Sequence, residues 1–450
     1  MGMTKQSKSN GEGWGMGFLL VFFSEEDENQ ESSNRKSTNL NQFSPSPSFT
    51  RSNSSQIIHK AQSTISICLL LLFTSLLLFT LSTLPSATYR RHLTSPQIQS
   101  PSNLSHALQG MGTLYRRGTR AMTDLVVAHA VESLTQNELR LFLRLFHRSP
   151  LASKSDLLII FPSNSAAYDA AILEENDSFL NLLTRYQSSN VSHSSPSFDV
   201  AQFTKLTKRE KETGEPIWGR KNRSNSTGAA ESTRLSYGSV AGFDADELDP
   251  ENSLSGFLDH VPMSLRRWAC YPMLLGRVRR NFKHVMLVDV REFLVLGDPL
   301  GRVRTQGAES VLVTAVGKHG KRTHPVRVHS GVLMGGSRGI RRVCSKMLTD
   351  IVRASMQQQH KKKRNSVADA ALFNQLVQND HVLKEVKLMV STESMPELSS
   401  LGSKSGLHNL LKSNNHGLIR VGNPNLDVNS LVMKQLCPFA VDSTVYSDCR

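Results

Sequence analysis

Cysteine is scarce in this 450-residue chain, with five in all and no two in a C-x-x-C spacing, so a zinc-ribbon type of site is excluded. Neither a P-loop nor a G-x-G-x-x-G spacing occurs, and Gly335, Gly336 and Gly339 therefore read as an ordinary turn from strand to helix. Acidic residues are in deficit, 38 against 53 Lys and Arg, yet no basic module interleaved with aromatics is present, which argues against nucleic acid as a partner. There is no internal repeat. The start M-G-M-T-K-Q lacks Ser or Thr at its sixth position, which disfavours myristoylation.

Long apolar runs are also missing, with one exception. From Ala61 to Tyr89 no charged residue occurs, and Ile65 to Leu84 is rich in Leu, Ile and Phe. Such a stretch matches a hydrocarbon core of ~30 Å, so residues 61–85 are expected to form a transmembrane signal-anchor helix. A cleavable signal peptide fits less well, because residues 1–60 precede the run as a long polar tail. That tail is dominated by Ser, Asn, Gln and Glu, with the run Ser44-Pro45-Ser46-Pro47-Ser48, and reads as a disordered cytosolic segment. Gly17 to Phe23 is an apolar island within it, too short to span a bilayer.

Flanking charge does not orient the helix, since Arg51 and Lys60 balance Arg90 and Arg91. Sequons do. Asn103, Asn176, Asn190, Asn222 and Asn225 follow the helix and only Asn53 precedes it, which fits a lumenal C-terminal portion and a single-pass type II protein. Tail acids and bases balance, so the +15 excess belongs to the remainder, as suits acidic ligands or an ordinary solvated basic surface. The run Lys361-Lys362-Lys363-Arg364 reads as a solvated loop. In an oxidising lumen Cys270, Cys344, Cys437 and Cys449 have three possible pairings; Cys437 with Cys449 closes a short loop, and buried free thiols are the alternative.

Residues 86–120 have the composition of a stem, and residues 121–450 read as one domain of alternating strands and helices. Leu125 to Val131 and Leu157 to Phe161 are strand candidates. Between them Thr135 and Glu138 form a capping box ahead of Leu139, Phe142, Leu143 and Phe146, one apolar helical face. Strand, helix and strand of this length make a parallel crossover. Phe198 to Phe203, Ser236 to Phe243, Ser310 to Val316 and Val326 to Gly336 are further strand candidates. Helices are expected near Ser264 to Val278, Ile340 to Ser355 and Asp369 to Val377, with Asp369 suited to be an N-cap.

Val285 to Val288 is an unbroken apolar run, the pattern of a strand buried on both faces, and Asp289, Arg291 and Glu292 follow at its end. Ligands of open α/β sheets bind beyond the carboxyl ends of strands, although acids there also serve simply to cap turns. Beyond this motif come Asp298-Pro299-Leu300, then His329-Ser330-Gly331-Val332-Leu333-Met334-Gly335, then Asp369-Ala370-Ala371-Leu372-Phe373-Asn374. In this order the motifs resemble GT-A-type glycosyltransferases, which use nucleotide-diphosphate sugars. The likeness is greatest to plant type II membrane proteins whose lumenal domain of unknown function is called glycosyltransferase-like.

The resemblance implies an α/β, GT-A-like, Rossmann-type fold with a mainly parallel sheet flanked by helices, behind the single transmembrane helix. It implies Mn²⁺ or Mg²⁺ held by Asp289 and Glu292 to neutralise the departing diphosphate. Asp369 would face the acceptor, and Arg291 would supply positive charge as the metal-free alternative. His129, Ser330 and Gly331 would line the donor nucleotide, with Glu132 nearby; a late histidine such as His416 serves some relatives as a metal ligand. Three positions depart from the family pattern: Arg291 for a second acid, His329 for Asn, and Ala370 for Gln. The expected function is a Golgi or other endomembrane transferase acting on a glycan or glycoprotein acceptor; the alternative is a catalytically silent transferase-like scaffold.

Overall fold

In the computed structural model, the described residues are 69–76, 105–107, 112–188, 198–204, 235–278, 282–316, 326–360, 367–379, 383–391, 395–398, 417–422 and 427–449. The tail 1–60, most of the 61–85 segment, the sequons Asn53, Asn103, Asn190, Asn222 and Asn225, the Lys361–Arg364 run and His416 lie outside them. Contacts divide the chain into two compact units, Met1–Ile98 and Gln99–Arg450. In the first, residues 69–76 form a helix with exposed leucines. Among the described residues, no helix is long and apolar enough to cross a membrane.

The second unit is α/β. Its strands are β1 (Ser105–His106), β2 (Thr113–Arg116), β3 (Asp124–His129), β4 (Ser155–Phe161), β5 (Val240–Asp244), β6 (His284–Asp289), β7 (Phe293–Val295), β8 (Ser310–Ala315), β9 (Val328–Gly336), β10 (Lys387–Ser391) and β11 (Leu418–Arg420). The main helices are α1 (Gln136–Arg148), α2 (Ala166–Ser188), α3 (Met263–Arg277), α4 (Ser337–His360), α5 (Asp369–Gln378), α6 (Val428–Leu436) and α7 (Ala440–Val445). Nine strands form one sheet in the order β1-β2-β5-β4-β3-β6-β9-β8-β10, and β7 with β11 makes a separate antiparallel pair. Only β2 and β9 run against the rest, so the sheet is mainly parallel and flanked by helices.

The apolar runs explain the centre. β3, β4 and β6 are buried along their whole length, as strands covered on both faces must be. Alternate residues feed two cores: Leu125, Val127, Val285 and Leu287 pack under α3 and α4, whereas Val126, Ala128, Met286 and Val288 pack against α1 and α2. The capping box of α1 forms as its sequence predicts, with the Thr135 and Glu138 backbone amides each paired to the other's side chain.

Several expectations need correcting. The stem-like composition up to residue 120 already includes β1 and β2; β1 pairs with β2, and β2 pairs onto β5, where Leu114 and Tyr115 cover apolar surface. Phe198 to Phe203 is not a strand. Ala201–Thr204 is a helical turn, and both phenylalanines close over aromatic neighbours, Phe203 on Phe179 and Phe198 on Tyr186. Asn176, read as a glycosylation site, is buried within α2 and closed to an oligosaccharide in the folded domain.

Beyond β10 the chain folds back onto α1. Arg148 is buried and meets Asp442 at 2.6 Å. Arg144 pairs with buried Glu175 and with Asp448 at 3.1 Å, and lies 4.3 Å over the Tyr446 ring. A Cys437–Cys449 disulfide closes this segment, while Cys270 and Cys344 are free and buried. Burial pushes the Cys270 thiol up to about 12 and Cys344 further the same way, so neither is a reactive thiolate.

Candidate functional site

Strand order reverses beside β3: the chain runs β3, β4, β5 to one side, then crosses back to place β6 on the other. In open α/β sheets this switch point opens a crevice at the carboxyl ends of the two diverging strands. Here those ends are His129 and Asp289, which are register partners. Both lie on the α3 side of the sheet, two residues beyond Val127 and Leu287.

α3 supplies the rest. Its amide at Met263 is capped by the Glu132 carboxylate at 2.5 Å, which fixes the helix start beside the end of β3. Arg267 and Tyr271, one turn apart, then face the crevice floor. The Tyr271 hydroxyl lies 2.7 Å from His129 Nδ1, and the Arg267 guanidinium lies against His129 Nε2. Arg267 Nη2 donates to Asp369 Oδ2 at 2.6 Å and to the Ser330 carbonyl at 3.1 Å. Asp369 also accepts from Trp268 Nε1 at 2.8 Å and from the Ser330 hydroxyl at 2.8 Å. Asp369 is therefore not an N-cap: Ala368 holds that position, and the carboxylate turns inward to a buried guanidinium.

His129 Nε2 lies 3.2 Å from Asp289 Oδ2. Burial, then the Arg267 cation, hold His129 below its ordinary value, so the ring is neutral near pH 7. Burial raises the Asp289 carboxyl, but the His129 contact, Arg267 and the Glu292 amide outweigh it and hold Asp289 at about 2. Asp289 Oδ1 accepts from the Arg291 amide at 2.8 Å and the Glu292 amide at 3.0 Å, an Asx-type turn. The capping role of Asp289 and its place at the switch point thus hold together.

That turn sends Glu292 back over the crevice rim. Its Oε1 accepts from Arg420 Nε at 2.9 Å, with His329 Nδ1 3.8 Å away. Burial, and the like charge of Asp289, raise the Glu292 carboxyl against the pull of Arg420. Gly331 belongs here for space. A Cβ at this position would lie 2.5 Å from Glu292 Oε2 and 3.6 Å from Asp289 Cβ.

The structure brings together His129, Asp289, Glu292, Ser330, Gly331 and Asp369. It does not bring Arg291, whose guanidinium turns to the start of α1 and pairs with Glu138 at 3.2 Å. Asp298 lies at the other end of the sheet, where it pairs with Lys154 and Arg304, and Arg304 reaches Asp124 at the start of β3. Asp124 and His129 are the two ends of β3, five steps of strand apart, about 17 Å. Residues missed by the sequence reading are Arg267, Trp268, Tyr271 and Arg420. For Arg267 a signal existed: Met263, Arg267, Tyr271 and Leu274 fall on one helical stripe, and an arginine within an apolar stripe needs a buried partner.

Asp289 and Glu292, the residues expected to hold a metal, are engaged by neighbouring groups in this structure. Both Asp289 oxygens are engaged by amides and His129, one Glu292 oxygen is engaged by Arg420, and among the described residues no three His, Cys, Asp or Glu side chains converge on an ion position. A cavity of about 40 Å³ between Leu312, Met334, Pro299 and Leu418 lies in the other core and has room for water rather than a nucleotide.

Buried histidines make stability depend on pH. Burial and Arg116 hold His147 well below its ordinary value, and burial and Arg420 hold His329 at about 4. With His129 similarly lowered, the unfolded chain takes up protons before the folded one does. Stability should therefore fall as pH drops from about 6.5 towards 4. Unfolding midpoints measured across that range check this; a flat profile would count against neutral, buried rings.

Residues 105–394 match a family model described as a domain of unknown function, DUF7780. No curated protein matches the chain.

Proposed function

The chain belongs to the DUF7780 family, and from that premise we propose that it is a GT-A-like transferase taking a nucleotide-diphosphate sugar at the crevice between β3 and β6. One observation carries the reading. Two ionisable groups, His129 and Asp289, are register partners at the carboxyl ends of the strands where the sheet order reverses, and Asp369 converges on them through Arg267. The motif order of the sequence supports the same reading. In it, Asp289 orders the β6–β7 turn and keeps negative charge at the crevice mouth, while Arg267 and the Ser330 hydroxyl fix the Asp369 carboxylate facing the acceptor hydroxyl.

The Cys437–Cys449 bridge supports an oxidising compartment, as expected of a type II Golgi or endomembrane protein anchored by residues 61–85. A second reading, a silent transferase-like scaffold, is favoured by the internal pairing of every crevice carboxylate.

The test is donor binding and hydrolysis by the full chain in detergent across a nucleotide-sugar panel, for wild type and Asp289→Asn. Asn keeps an oxygen for the turn amides, so its unfolding free energy should change by no more than about 1 kcal/mol. Turnover should fall by two orders of magnitude or more, roughly 3 kcal/mol of transition-state stabilisation. Equal turnover in both proteins would remove Asp289 from the chemistry. No donor bound across the panel would leave the scaffold reading.

A further inference from the structure

The crevice carries three carboxylates, Asp289, Glu292 and Asp369, against one buried guanidinium, Arg267. A second cation arrives from far along the chain. β11 pairs antiparallel with β7, Arg420 opposite Phe293, and the Val421 amide donates to the Glu292 carbonyl at 2.9 Å. Backbone pairing thus delivers the Arg420 side chain to Glu292, independently of the ion pair itself. Arg420 lies beyond the residues matched by the family model.

We infer that Arg420 is the resident cation of the crevice: it holds Glu292 through Nε and offers Nη1 and Nη2 to a diphosphate, in the role that the resemblance gives to a divalent ion. The inference rests on the nucleotide-sugar reading and names the group that meets the donor's charge. Three observations carry it. Nε alone engages Glu292, and among the described residues Nη1 and Nη2 have no partner. The side chain is 34% exposed, so the guanidinium is open to solvent rather than sealed in the core. It lies against Glu292, whose other oxygen comes to the same glycine, Gly331, as Asp289, so the cation belongs to the acidic rim. A guanidinium suits both tasks at once, because its planar donors bind a carboxylate on one edge and phosphate oxygens on another. Arg291, which the sequence offered for this charge, is committed to Glu138.

Removing Arg420 leaves two neighbouring carboxylates with no cation on the rim, a pair suited to a hard divalent ion. Two titrations of the full chain in detergent test the assignment: Mn²⁺ followed by paramagnetic resonance, and inorganic pyrophosphate followed by calorimetry with EDTA present. Wild type should bind pyrophosphate without metal and bind Mn²⁺ weakly. Arg420→Gln should weaken pyrophosphate by about tenfold or more and tighten Mn²⁺ by a similar factor, while Arg420→Lys keeps Mn²⁺ out but loses part of the pyrophosphate affinity. Pyrophosphate binding that needs Mn²⁺ in wild type would overturn the role of Arg420 and leave the nucleotide-sugar reading standing. Unchanged titrations in Arg420→Gln would also overturn it. Failure of wild type to bind pyrophosphate or any nucleoside diphosphate would overturn both.

Discussion

A chain ended after residue 394, where the family match stops, should not fold cooperatively. The deletion strips β11 from β7, removes Leu436 and Val432 from the cluster that covers Leu141 and Leu145, and takes Asp442 and Tyr446 from Arg148. Arg148 and Asp442 are both buried, with side chains 3% and 0% exposed. Taking one partner from such a pair costs about 3–5 kcal/mol, because the remaining charge stays buried without compensation. That alone is a large part of the 5–15 kcal/mol that typically separates folded from unfolded domains. Asp442→Ala isolates this contribution in the full chain. Thermal unfolding and limited proteolysis check both proteins. A truncated chain that melts sharply within a few degrees of the full one would show the C-terminal segment to be an accessory rather than part of the domain.

Loss of Arg267 should be comparably severe. Its guanidinium is 3% exposed and joins His129, Asp369 and the Ser330 carbonyl, groups from three separate stretches of the chain. Arg267→Met leaves the Asp369 carboxylate with neutral donors only, at a cost of about 3–5 kcal/mol. The double variant Arg267→Met with Asp369→Leu should recover much of that loss, since it leaves no unpaired charge in the core. Denaturant unfolding of the four proteins in the cycle gives the coupling. Additive losses would mean that the two side chains do not act as a pair.

The contrast between these residues and the motif acids shows how much the sequence revealed. β3, β4 and β6 were legible because unbroken apolar runs suit only strands covered on both faces, and α1 because a capping box and an apolar stripe point to the same start. Asp289 was legible as a strand-end acid. Arg267 was legible only as an arginine in an apolar stripe that needs a buried partner, and the acid it meets, Asp369, lies 102 positions away. Arg291 and Arg420 show the same limit from the other side. Sequence proximity favoured Arg291, but the turn that follows Asp289 aims it at α1, and only the pairing of β11 with β7 reveals which arginine reaches Glu292. Asp369 looked like a helix cap because it opens α5, and nothing local shows its carboxylate turned towards Trp268 and Arg267.

The central claim is that the β3–β6 switch point is where a nucleotide diphosphate binds. The most direct measurement is a crystal structure of the protein with a nucleoside diphosphate identified by the binding panel. The account predicts the diphosphate beyond the carboxyl ends of β3 and β6, within hydrogen-bond distance of Arg420 and above the Asp289 turn. Density for the nucleotide at any other surface, with His129, Asp289 and Arg420 untouched, would contradict it.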